Sequence, residues 1–162
     1  MWSLTVELQL LNDDGNLVDA FFLAAVLALK NTRLPEVSMK GDSVIVNHAT
    51  PHYINVHHIP ISTTFYFIDG VKDPIVDASA KEERLATARL SICMNVFEDV
   101  CGMQTLGQME VEPLQLLQCA RDALAITKKT TKLVRQAWEN RHKVPLLAMK
   151  VREHHAENTN QN

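Results

Sequence analysis

The segment Leu17-Val-Asp-Ala-Phe-Phe-Leu-Ala-Ala-Val-Leu-Ala-Leu29 holds one polar side chain, Asp19. A helix that is apolar almost all round belongs inside a fold, so the rest of the chain must supply layers around it. Ala20, Ala24 and Ala28 recur at i, i+4 and i+8, a strip of small residues that another layer can approach closely. Just upstream, Asp14-Gly15 reads as a turn, and Gly15 can take the positive φ that a sharp entry into a helix needs. Asn16 is a natural N-cap, with Asp19 three residues on to return the bond as in a capping box. On this reading Asp14 and Asp19 are turn and helix-start residues rather than catalytic ones.

Before the turn, Trp2, Leu4, Val6, Leu8 and Leu10 alternate with Ser3, Thr5, Glu7 and Gln9, the pattern of a half-buried strand. Glu7 also interrupts what would otherwise resemble the apolar core of a signal peptide. After the helix, Pro35 closes the region, and Val37–Met39 and Ser43–Val46 flank Lys40-Gly41-Asp42 as a hairpin. Residues 47–58 read as a polar, histidine-rich loop. Ser62–Ile68 is a strand of Thr, Phe and Tyr, and Ile75-Val76-Asp77 a short one. Ala80–Ala86 is a helical turn or a loop. Arg89–Phe97 and Val100–Thr105 pair around Glu98-Asp99. From Glu112 to about His142 a helical stripe of Leu, Ala, Ile, Val and Trp runs without glycine, opened by Pro113. Val144–Val151 is an apolar coda and Glu153–Asn162 a polar tail expected to be disordered. The order of elements predicts an α+β fold with a mostly antiparallel sheet, a central apolar helix and a long C-terminal helix.

At 162 residues the chain can bury a core as one domain, and no apolar run reaches the length of a membrane span. Cys93, Cys101 and Cys119 lack CxxC spacing and read as free thiols of a reducing compartment, with Cys93 and Cys101 buried on strands. The net charge of −3 is unevenly placed: residues 121–152 carry nine Lys/Arg against Asp122 and Glu139. Arg121, Lys128, Lys129, Lys132 and Arg135 are the candidate RNA contacts on that basic helix, although a solvated helix face has the same composition.

His48, His52, His57 and His58 form no known metal motif, so neither a metal nor a cofactor is expected. Asp77, Glu82 and Glu83 are close enough in sequence to bind a cation or supply a general acid, or simply to form an exposed acidic connection.

Several of these segments, taken in order, resemble the second half of the RNase PH domain. They are the strand with Leu11-x-x-Asp14-Gly15-Asn16 and its small-residue helix, Ile75-Val76-Asp77 followed by Glu82-Glu83, Met94-Asn95, Val100-Cys101-x-x-Gln104-x-x-Gly107, and the long final helix. Trp2, His57-His58-x-Pro60-Ile61 and Glu82-Glu83-Arg84 narrow the likeness to RNA exosome ring subunits of the polymyositis/scleroderma autoantigen type. The similarity runs from about residue 2 to residue 143. It implies residues 1–151 as a partial RNase PH-like domain, second half only, and 152–162 as the tail. The family's first half, with its phosphate-holding arginines, has no counterpart here, which would suit a truncated form.

In phosphorolytic members two aspartates six residues apart follow the Ile-Val-Asp strand. The matching positions here are Glu83 and Arg89. Arg89 reverses the charge, and a guanidinium can be neither general base nor metal ligand. The resemblance therefore implies a non-catalytic scaffold subunit of the exosome ring, supporting 3′→5′ RNA processing and degradation in the nucleus, nucleolus included, and the cytoplasm. Its implied partners are other RNase PH-like ring subunits, RNA-binding cap proteins and RNA, with no membrane and no cofactor. Two alternatives are a phosphate-dependent 3′→5′ exoribonuclease or nucleotidyltransferase using Asp77, Glu82 and Glu83, and a free RNA-binding fragment acting through the basic helix.

Overall fold

A computed structural model describes residues 2–108 and 112–141. The chain divides into two compact units, residues 1–131 and 132–162. In the first unit, helix α1 (Leu17–Asn31) is followed by a hairpin of β1 (Arg33–Lys40) and β2 (Ser43–Tyr53). Next come β3 (Ile61–Phe67), β4 (Ile75–Val76), helix α2 (Ala80–Leu85), β5 (Ala88–Met94), β6 (Val100–Gly107) and helix α3 (Pro113–Asn140). Helix α3 crosses from the first unit into the second; within the latter, the Arg141 guanidinium stacks 4.1 Å over the Trp138 ring. The apolar coda and polar tail expected at 144–162 lie outside the described residues.

Four strands form an antiparallel sheet in the order β4-β3-β5-β6. Alternation along β3 divides its side chains between two faces. Phe65 and Phe67 point to one, joining Leu90, Ile92 and Met94 of β5 and Cys119 and Ala123 of α3 in the core. Ser62 and Thr64 point to the other, where Asp19 of α1 meets them. The sheet of this unit therefore lies between α1 and the start of α3, and β3 is its most buried strand.

Three expectations change. Residues 2–10 are extended in pattern but form no strand, and Trp2, Leu4, Val6, Leu8 and Leu10 are each about half exposed. A strand exists only when its N–H and C=O groups find a ladder, and no described segment pairs with this one. Helix α1 is not enclosed either: Val26 is its one buried residue, and its main packing partner among the described elements is β3. The hairpin is longer than the hydrophobic pattern suggests. Pro35 lies within β1, where the register shifts between Leu34 and Glu36 and residues 48–51 of β2 stand opposite this residue with no N–H to donate. His48 and His52 thus sit on β2 rather than in a loop.

Candidate functional site

The entry to α1 is built differently from the predicted capping box. Asn16 adopts the left-handed conformation (φ 50°, ψ 37°) and makes no side-chain cap. Its Nδ2 instead donates to Asp77 Oδ1 at 3.1 Å, and Asp77 is itself left-handed at φ 58°. Gly15, at φ +89°, lies so close to residues 78–80 that an added Cβ would come within 2.4 Å of the Ala78 carbonyl oxygen. The Ala80 N–H donates to the Asp14 carbonyl at 2.9 Å across this approach. Only glycine satisfies both the backbone angle and the contact.

Asp19 is equally occupied. Its Oδ2 accepts the Thr64 backbone N–H at 2.8 Å, and its Oδ1 accepts the Ser62 and Thr64 hydroxyls at 2.7 and 2.8 Å. β4 pairs with β3 only at Phe65 and Tyr66, so the carboxylate takes the place of a strand partner where β4 runs out. Asp19 is a structural residue, as the sequence suggested, but through the sheet and not through a cap.

The capping box lies at α2. Ser79 accepts the Glu82 N–H, and Glu82 Oε2 accepts the Ser79 N–H at 2.8 Å and its hydroxyl at 2.7 Å. The backbone bond first, and then the hydroxyl, hold the Glu82 carboxyl below its ordinary pKa. Glu83, one residue on, faces the sheet: Tyr66 donates its hydroxyl to Glu83 Oε1 at 2.8 Å, and Arg89 Nη1 lies 3.8 Å from the same oxygen. Tyr66 and Arg89 are directly paired residues of β3 and β5, which is what brings phenol and guanidinium together beneath α2. Burial, then the Glu83 bond and charge, raise the Tyr66 pKa well above its usual value, so the phenol stays protonated and donating.

The two family positions, Glu83 and Arg89, are thus adjacent, and both line a cavity of about 240 Å³ with Tyr66, Thr87, Leu106 and Gly107. The three carboxylates weighed as an active site do not converge. Asp77 bonds Asn16, Glu82 closes the α2 cap, and Glu83 holds Tyr66. Among the described residues no group of three or more His, Cys, Asp or Glu could hold a metal ion. A wider groove of about 800 Å³, between residues 72–76 and the start of α3, contains neither family position.

Tyr66 was the residue sequence reasoning overlooked. Strand parity was the available signal, since it shares a face with Ser62 and Thr64. The Asn of Met94-Asn95 gains a role as well: Asn95 Oδ1 accepts the N–H groups of Phe97 and Asp99 and so shapes the β5–β6 turn. Arg121, Lys128, Lys129, Lys132 and Arg135 are all exposed positions of α3, and Lys128 pairs with Glu98 at 2.9 Å.

Residues 58–125, which include the Tyr66–Glu83–Arg89 cluster, match the model of the 3′ exoribonuclease family, domain 2. That model describes the RNase PH C-terminal domain. The likeness extends over most of the chain in curated relatives. The exosome complex component RRP45 of Bos taurus is 36% identical over 147 residues, covering 89% of this chain and 33% of the relative. The exosome complex component RRP45A of Arabidopsis thaliana is 33% identical, covering 96% of this chain and 52% of its own length. The chain therefore spans between a third and about half the length of these relatives. Among solved structures, an Archaeoglobus fulgidus exosome with RNA bound to the active site superposes with a TM-score of 0.61 at 27% identity. That match covers 75% of this chain and 44% of the archaeal one. The expected α+β fold with antiparallel strands is observed, and it is similar to the RNase PH-like core of the archaeal exosome.

Proposed function

We propose that the chain is a non-catalytic RNase PH-type subunit, or a portion of one, of the RNA exosome ring, supporting 3′→5′ RNA processing and degradation. The observation that carries this reading is the state of the two family positions. Phosphorolysis requires carboxylate chemistry and charge compensation at the departing oxygen of an RNA linkage. Here the second position is Arg89, permanently charged and 3.8 Å from Glu83, whose oxygen already accepts the Tyr66 phenol. Arg89 can be neither base nor cation ligand, and its charge together with the Tyr66 hydroxyl engages one Glu83 oxygen.

We infer as partners other ring subunits of the same fold, RNA-binding cap proteins and RNA, in nucleus and cytoplasm; the relatives' names, exosome complex components, support membership of that assembly. RNA contact is assigned to Arg121, Lys129, Lys132 and Arg135 of α3, with Lys128 contributing once it leaves Glu98. A 3′-tailed RNA incubated with the chain and inorganic phosphate tests the proposal, and no nucleoside diphosphate is expected. Steady diphosphate release that requires phosphate and is lost in Glu83→Gln would restore the enzyme reading. For the RNA face, each charge removed should reduce the salt slope of binding by about one.

A further inference from the structure

The sequence reading placed Cys93 and Cys101 as buried thiols; the structure leaves Cys101 exposed on the outer strand β6 and Cys93 half-buried on β5. Strict alternation would send them to opposite faces of the sheet, since Cys93 pairs with Gly102. The register breaks there: Met94 pairs with Val100, which leaves Cys101 as the extra residue of a bulge. Gly102 has no side chain to fill the space, and a Cβ placed on it would lie 4.0 Å from the Cys93 Cβ. The bulge thus sets Cys101 beside Gly102, the residue that faces Cys93, and the Cys101 thiol donates to the Asp99 carbonyl at 3.8 Å. Facing residues of paired strands, here Cys93 and Gly102, have Cα atoms about 4.5–5.5 Å apart, so the bulged neighbour of Gly102 lies near the range a disulfide spans. Cys119 is buried with Leu90, Ile92 and Met94 on the α3 face, whereas Cys93 alternates with these residues and points to the other.

We propose that Cys93 and Cys101 are a reversible oxidation site, a dithiol that a peroxide closes to an intramolecular disulfide and so staples the outer strand to β5 at its bulge. The exposed Cys101 reacts first. Its thiolate sulfur attacks one peroxide oxygen, the O–O bond breaks, and hydroxide leaves to take up the proton the thiol released. The sulfur of Cys93 then attacks the sulfur of the Cys101 sulfenic acid; the S–O bond breaks and water departs with the Cys93 proton. Two thiols lose two electrons, and one hydrogen peroxide becomes two waters. Burial, and after it the neighbouring Cys101, pushes the Cys93 thiol up to about 11, so Cys93 is the slower, resolving partner at neutral pH. Closure therefore accelerates as pH rises from about 7 to 9, as the thiolate fraction grows.

The test uses the full chain, treated with equimolar hydrogen peroxide and digested without reductant. A Cys93–Cys101 peptide pair lighter by two hydrogen atoms, reopened by dithiothreitol, is the expected product, with Cys119 still free to alkylate once unfolded. In Cys93→Ser the sulfenic acid should persist on Cys101 and be trapped by dimedone. Cys101 that instead runs on to sulfinic acid or links two chains in the wild-type protein, while Cys93 remains reduced, would overturn the proposal. So would a bridge to Cys119. The wild-type readout stands whether or not the variant folds.

Discussion

Removing the Asp19 carboxylate should destabilise the chain far more than neutralising it. The carboxylate accepts the Thr64 backbone N–H and the hydroxyls of Ser62 and Thr64. In Asp19→Ala the hydroxyls have other outlets: Thr64 Oγ1 lies 2.9 Å from Ser91 Oγ, and Ser62 is only half-buried. The Thr64 N–H has none, because Thr64 is 0% exposed and β4 pairs with β3 only at Phe65 and Tyr66. A buried donor left unpaired costs about 1–3 kcal/mol, and a hydrogen bond to a charged group contributes about 1.5–3 kcal/mol. These share one carboxylate and do not add fully, which gives about 2–4 kcal/mol for Asp19→Ala. Asp19→Asn keeps an oxygen for the N–H and can turn its amide toward the hydroxyl oxygens, so it should cost about 1 kcal/mol. With a urea slope of about 1–3 kcal/mol per molar, the alanine variant should unfold about 1–2 M earlier than wild type. Equal losses for the two variants, or an alanine variant within about 0.5 kcal/mol of wild type, would refute the edge-capping role.

Gly15→Ala meets both a positive φ and the Ala78 carbonyl and should cost more than about 2 kcal/mol, whereas Gly41→Ala, also at positive φ but with open space, should cost about 1 kcal/mol in the same melts. Ser79→Ala should cost about 1 kcal/mol by losing the α2 cap. Because the folded Glu82 pKa is depressed, first by the Ser79 backbone N–H and then by its hydroxyl, the carboxylate half of the box is present above the unfolded carboxyl pKa and fades as pH falls through the folded value. A wild type whose stability shows no Glu82-dependent change across that window would refute it. Trp2, Leu4, Val6, Leu8 and Leu10 are about half exposed, and Leu11 is 93% exposed, so the isolated chain should self-associate or need a partner. A monodisperse monomer by light scattering, with a sharp melt above about 55 °C, would contradict that expectation.

Local signals located the elements because they depend on spacing and on turn chemistry. The bounds of α1, α3 and β3, and the pairing around Glu98-Asp99, were legible in periodicity, in Pro113 and Gly15 and in the Glu98-Asp99 turn itself. The charge reversal at Arg89 was equally plain, since residue type alone decides that a guanidinium cannot act as a base. What required tertiary structure were the partners of each polar group. Asp19 and Glu82 both follow a cap-like residue at the same spacing, yet only Glu82 closes a box. Asn16 is pulled left-handed toward Asp77, and Asp19 is drawn to the bare edge of β3. Tyr66 and Arg89 meet because of strand register, and Cys101 falls in a bulge because the register of β5 and β6 slips by one residue. Alternation in Trp2–Leu10 encodes two faces but cannot provide a ladder, since backbone pairing belongs to two segments at once and is written in neither alone.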